Sequence, residues 1–172
     1  MAFSLRRPDR VPAEVLAALE LPRSERPLSW ARDETTGSTV VGTTQGLYAV
    51  DPAGARTVAR PWHLVDAGSW SADLFQLTVT WVDGSRPTQW VFREPTMLPE
   101  TLRERVQASV VIAQRVDLGN RRSARAVIRQ DLATGDLVEQ VVLGRGVAPG
   151  DPAVKEATGA ALAYLREQVG LD

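Results

Sequence analysis

The sequence predicts an α+β protein: a small antiparallel barrel or strongly bent sheet, capped by an amphipathic helix and followed by a βββα extension. Three observations predict it. Seven short segments of strand character follow one another between residues 28 and 93, each bounded by turn chemistry. The apolar period then changes from two to about four over residues 98–108. A second set of β-branched segments ends in one long amphipathic stretch at the C terminus.

A short helix over 11–21 comes first. Val11, Val15, Leu16 and Leu19 fall on one face, Pro12 suits a first helical turn and Pro22 ends the helix. Strands are then predicted at 28–33, 39–44, 47–51, 56–59, 62–70, 74–82 and 88–93. Thr36-Gly37, Gln45-Gly46, Asp51-Pro52-Ala53-Gly54 and Asp83-Gly84-Ser85 supply turns between them. The clearest strand is 74–82, where Phe75, Leu77, Val79 and Trp81 alternate with polar residues and are expected on one buried face.

The helix over 98–108 carries Leu98, Leu102 and Val106 on one side, with Thr96 as its expected cap and Pro99 in its first turn. Residues 109–118 could continue that helix, but their β-branched content favours a strand with Val110, Ile112, Val116 and Leu118 on one face. Gly119-Asn120 and Thr134-Gly135 then turn the chain between strands at 123–132 and 137–143. Asp151 caps a last helix with Pro152 at its start and Gly170 at its end. Its stripe is Val154, Ala157, Ala161, Leu162, Leu165 and Val169. The organisation expected is an arm and short helix at 1–27, a barrel with its capping helix at 28–108, and a meander with a helix at 109–172.

Composition narrows the chemistry. The 172 residues are enough to bury a core without crosslinks. With no Cys, disulfides, thiol catalysis and Cys-based metal sites are excluded. The formal net charge of −1 points to neither nucleic acid nor membrane as a whole-molecule partner. Arg6, Arg7 and Arg10 are followed by no apolar run, so no secretory signal is read, and no stretch reaches the roughly 20 apolar residues of a membrane span. A cytoplasmic location is expected.

Trp30-Ala31-Arg32, the 39–48 segment Thr-Val-Val-Gly-Thr-Thr-Gln-Gly-Leu-Tyr, the 62–66 segment Trp-His-Leu-Val-Asp, Leu77-Thr78-Val79 and the helix from Leu98 to Val106 together resemble a bacterial pleckstrin-homology-like (GRAM-type) barrel. The likeness covers residues 28–108, and 109–172 lies beyond the family pattern. The whole chain also resembles a conserved actinobacterial protein, a likeness that carries no activity. The resemblance implies a barrel plugged by its helix and a module that binds lipids, peptides or proteins. In that family lipid recognition uses a basic early loop. The corresponding residues here, Asp33-Glu34-Thr35-Thr36-Gly37-Ser38, are acidic, which argues against a phosphoinositide.

No catalytic set is recognisable. His63, the single His, has Asp66 three residues on, which places the two on opposite faces of a strand. Neither a metal nor a cofactor is expected: Asp131 to Asp136 lacks the alternating acids of a calcium loop, and Gly144 to Gly150 lacks the Lys-Ser/Thr pair of a phosphate loop. Two surfaces are nominated. Arg121, Arg122, Arg125 and Arg129 stand in an Arg-rich stretch from 103 to 129 and suit an acidic partner or a polyanion. The competing reading is that acidic residues later in the chain pair with them. Trp62 and Trp70, expected on one mixed strand face, offer an anchor for a protein partner, although core packing is the plainer role. The function these residues point to is non-catalytic binding of a protein. The alternatives are an anion- or nucleic-acid-binding module built on the arginines, and an enzyme using carboxylates that the sequence does not identify.

Overall fold

A computed structural model describes residues 10–171, so Arg6 and Arg7 lie outside the described residues. The architecture is α+β, with three antiparallel sheets and three α-helices. Helix α1 is Ala13–Leu19. Strands β1 (Pro27–Arg32), β2 (Thr39–Thr43), β3 (Gly46–Val50) and β4 (Arg56–Pro61) form a four-stranded meander. Strands β5 (Val65–Ser71), β6 (Gln76–Trp81) and β7 (Thr88–Val91) form a three-stranded one. Helix α2 (Leu98–Ser109) runs directly into β8 (Val110–Asp117), which pairs with β9 (Ser123–Gln130), itself paired with β10 (Leu137–Leu143). Helix α3 is Pro152–Val169. Among the described residues the sheets do not join into one closed barrel. Among the described residues no helix is long and apolar enough to cross a membrane.

The main core lies between the first two sheets and α2. Val40, Leu47 and Ala49 come from the first sheet, Leu77, Val79, Trp81 and Trp90 from the second, and Leu98 and Leu102 from the helix. Helix α2 sits close on β5: a Cβ at Gly68 would run into the Leu102 side chain, so glycine is what allows this approach. Thr96 Oγ1 accepts the Leu98 N–H at 3.1 Å, but the N-cap position falls on Met97, one residue after the Thr96 expected there. A second cluster packs Val15 and Leu19 of α1 on Val41 and Val50. A third packs Ala161 and Leu165 of α3 on Ala126 and Ile128 of β9. Asp151 accepts the Ala153 N–H at 2.9 Å, and Gly170 ends α3 at φ 70°.

Four local expectations are corrected. The strand predicted over 62–70 begins only at Val65, because Trp62–Leu64 is a 3-10 turn. A strand would send Trp62 and His63 to opposite faces. The turn buries both and leaves Leu64 at the surface. Phe75 does not share the buried face of Leu77, Val79 and Trp81. It sits in the β5–β6 turn at φ 52° and is 40% exposed, while its carbonyl accepts the Phe92 N–H at 2.8 Å. Leu16, one residue on from Val15 and so about 100° further round the helix, is 39% exposed rather than buried with Val15 and Leu19. In β8 the register shifts between Val110 and Ile112, which takes Val110 out of the alternation that Ile112 and Val116 keep.

Candidate functional site

The nominated arginines do not form one surface. β9 is the central strand of its sheet, and α3 covers the side of Ala126 and Ile128. Arg125, Val127 and Arg129 therefore face the other way, towards the first body of the molecule. Arg129 is 1% exposed and is enclosed there. Its Nη1 donates to Val65 O at 2.6 Å and to Trp62 O at 3.3 Å, and its Nη2 reaches Asp66 O at 3.5 Å. Ser109 Oγ lies 3.4 Å from the same Nη1. Burial pushes its pKa below the ordinary guanidinium value, with Asp66 opposing and Arg125 adding to the effect. Arginine remains a cation at any physiological pH, so the carbonyl oxygens serve as its counter-dipoles.

Arg125, four residues earlier on the same face, is half-exposed and paired with the Asp66 carboxylate. Arg121 and Arg122 sit at the β8–β9 turn, where Gly119, Asn120 and Arg121 all have positive φ. The anion surface proposed from sequence thus reduces to two turn residues. Its acidic partner is Asp66 rather than a carboxylate from later in the chain.

The Trp pair is also divided. Trp62 is wholly buried and donates its Nε1–H to Thr43 O at 2.9 Å, so it is a core residue and not an anchor. Trp70 remains 39% exposed on β5 and stacks on Phe92, with ring centroids 6.4 Å apart.

His63 is buried beside Asp131 rather than Asp66, with Nδ1 4.0 Å from Asp131 Oδ1. Burial lowers its pKa, Asp131 opposes and Arg129 reinforces the lowering. Its own carbonyl accepts Gln140 Nε2–H at 2.6 Å, a second strut between the 62–64 turn and the third sheet.

A small hollow of about 260 Å³ is lined by Glu25, Tyr48, Arg56, Arg60 and Asp131. Its ionisable groups are already engaged. The buried Glu25 carboxylate accepts from the hydroxyls of Thr43 and Tyr48, and Asp131 Oδ1 accepts the Ala133 N–H at 2.8 Å. Burial, with the Glu25 bond second, pushes the Tyr48 hydroxyl up to about 12. Arg56 meets Glu20, while Arg60 pairs with Asp83 at 3.0 Å and lies over the Trp81 ring. The expected acidic loop at 33–38 is likewise structural at its first residue. Asp33 is buried and its carboxylate accepts the N–H groups of Thr35, Thr36 and Val91.

A larger concavity lies elsewhere, along β1. It measures about 630 Å³, within the range of ligand-binding clefts. β1 is an edge strand and forms its floor. Leu16 of α1 and Met97 of the β7–α2 connection also line it, together with the buried Phe92. Leu28 is 42% and Met97 64% exposed, and Trp30 is half-buried between the groove and the α1 cluster. Arg10, Arg32 and Glu94 give the groove its charge. Sequence reasoning missed this site. The one legible signal was that β1 carries apolar residues on both faces, Leu28 and Trp30 against Ala31.

Comparison with family models, with curated protein sequences and with solved structures returned no match.

Proposed function

We propose that this chain is a non-catalytic binding module of pleckstrin-homology-like organisation, working in the cytoplasm, and that its partner is a protein. The observation that carries the reading is the apolar groove along β1, where Leu28 and Met97 stay exposed beside the half-buried Trp30. Exposed apolar side chains gathered in one concavity mark an interaction site more than single ones do. The order of four strands, three strands and a helix that packs on both sheets supports the pleckstrin-homology-like part of the reading. The polyanion alternative loses its support with the burial of Arg129 and the pairing of Arg125 with Asp66. The carboxylate-enzyme alternative loses its support because Glu25 and Asp131 are both held by internal hydrogen bonds.

The test compares the wild type with a Leu28→Asp/Met97→Asp double variant in quantitative cross-linking from native extract. Both positions are exposed, so thermal melts of the two proteins should agree within a few degrees. A partner recovered by the wild type and lost with the variant is the expected result. The same partners recovered equally by both would remove the groove from the function.

A further inference from the structure

We infer that the chain pairs with a second copy of itself along the open edge of β8, antiparallel and centred on Val116, so that Arg115 of each copy lies opposite the partner's Asp117. The contact is on the third sheet and does not depend on the groove along β1. Three observations carry it: an uncovered strand edge, an arginine with no counter-charge of its own, and edge charges that complement themselves in one register.

β8 is one edge of its sheet and, among the described residues, pairs with β9 alone. The Leu118 N–H donates to Arg122 O at 3.0 Å, which makes Leu118 a hydrogen-bonded position of the hairpin. Ser123 O turns the other way and accepts the Gly144 N–H at 2.9 Å, beyond β10. Counting back from Leu118 in steps of two, Val116 and Gln114 turn their main-chain groups to β9, opposite Ala124 and Ala126. Ala113, Arg115 and Asp117 are out of phase with these and turn theirs to the open edge. Their side chains are exposed, as is that of Gln114. The opposite edge of the sheet differs. β10 has no exposed residue from Val138 to Leu143, and its Gln140 is bonded to His63 O at 2.6 Å. A run of unpaired N–H and C=O groups is a template for another strand. The bulge between Val110 and Ile112 blunts only the start of the β8 edge, and no Pro or Lys stands between 110 and 118.

Charge selects the partner and the register. Arg115 lies directly opposite Arg125 of β9, and like charges so placed destabilise a sheet. Arg125 has Asp66 as its counter-ion. Among the described residues Arg115 is in no ion pair, and neither is Asp117. The Asp117 carboxylate is oriented by its Oδ1, which accepts the Gly119 N–H at 2.9 Å. Two-fold antiparallel pairing has to match outward-facing positions with one another. Centred on Arg115, it sets Arg115 against the partner's Arg115, two cations face to face. Centred on Ala113 or Gln114, it sets Arg115 against the partner's Val111 or the partner's Ala113. Centred on Val116, it sets Arg115 against the partner's Asp117, once from each copy. Only this register gives both edge charges a counter-charge, and directly opposed side chains about 5 Å apart are within reach of an ion pair. The third sheets of the two copies then continue as one across the two-fold axis.

The experiment is sedimentation velocity of the full chain over a concentration series. The wild type should show a monomer–dimer equilibrium. Arg115→Asp and Asp117→Arg each set like charges against one another and should raise the dimer dissociation constant by roughly tenfold or more. Both positions are exposed, so neither variant should lower the melting temperature by more than a few degrees. An equimolar mixture of the two variants should dimerise again, because positions 115 and 117 are both acidic in one and both basic in the other. Recovery on mixing separates a contact between copies from damage within one. The chain has no Cys, so single cysteines read the register. Val116→Cys, about 4.5 Å from its symmetry mate between Cα atoms, should form a covalent dimer on mild oxidation. Gln114→Cys, about 13 Å from its mate, should not. A wild type that is monomeric at every concentration, a dimer indifferent to both charge variants, no recovery on mixing, or a cross-link through Gln114→Cys in place of Val116→Cys would overturn the proposal. A dimer lost with Leu28→Asp and unaffected at 115 and 117 would move self-association to the β1 groove and overturn it as well.

Discussion

The guanidinium of Arg129 on β9 donates to the backbone carbonyl of Val65, at the start of β5, at 2.6 Å. That contact joins two sheets that share no strand pairing. It is made by a cation whose nearest acceptors are neutral carbonyls, with Trp62 O and Asp66 O completing the ring. Bonds from a charged donor in such a setting outweigh neutral ones, and their removal leaves buried oxygens without partners.

Replacing Arg129 should therefore cost far more than replacing Arg125. Arg129→Met is expected to lower stability by about 2–4 kcal/mol, from the loss of charge-assisted bonds at a buried site. Arg125→Ala, which breaks a half-exposed ion pair with Asp66, should cost under about 1 kcal/mol. Urea denaturation of both variants checks this. Similar midpoints for the two would mean that Arg129 is not what holds the third sheet to the 62–66 segment.

Leu77 and Phe75 look equivalent in the sequence and differ in the fold. Leu77 is 1% exposed between the sheets, and Phe75 is 40% exposed in a turn. Leu77→Ala should destabilise by about 2–5 kcal/mol, as large-to-small core changes do. Phe75→Ala should cost less than half of that, the loss being its contact with the Arg93 guanidinium, 5.6 Å from the ring centroid. Gln76→Ala, on the opposite face of β6, should change little. Equal losses at 75 and 77 in chemical denaturation would put Phe75 back in the core.

His63 predicts a pH dependence. Burial holds its pKa in the folded protein below the ordinary 6.5. The unfolded chain therefore binds the proton first as pH falls, and protonation favours unfolding. Stability should be flat above that value on this account, and should decline as pH drops from 6.5 towards the lower folded value, by at most about 1.4 kcal/mol per pH unit. His63→Gln should remove that part of the slope. The difference between wild-type and variant denaturation curves, taken from neutral to mildly acidic pH, isolates the effect from the carboxylates. Parallel curves throughout would show that His63 titrates normally.

Heparin retention provides a further check. With Arg129 buried and Arg125 occupied by Asp66, Arg121 and Arg122 remain as turn cations. Weak retention is expected at low salt, with elution well before physiological ionic strength, because few counterions are released. Arg122→Glu/Arg125→Glu should abolish the weak retention that remains. Strong retention that falls steeply with salt and disappears in that double variant would restore the polyanion reading.

The order of elements was determined by the sequence alone. Turn residues, the change of period at Leu98, the β-branched run that made 110–117 a strand, and the Asp151 and Gly170 caps act within a few residues of where they stand. The candidate site was not legible, because alternation says which side chains share a face and not what covers that face. Arg125 and Arg129 share one face of β9. The turn at 62–64 and the start of β5, some sixty residues earlier, close over Arg129 and leave Arg125 at the rim with Asp66. The groove arises in the same way. Leu28 and Met97 are distant in the chain, and each reads as an ordinary apolar residue next to an element boundary. Only the packing of the β7–α2 connection near β1 brings them into one concavity. Burial by remote segments is a property of the packed chain, and no local window of sequence contains it.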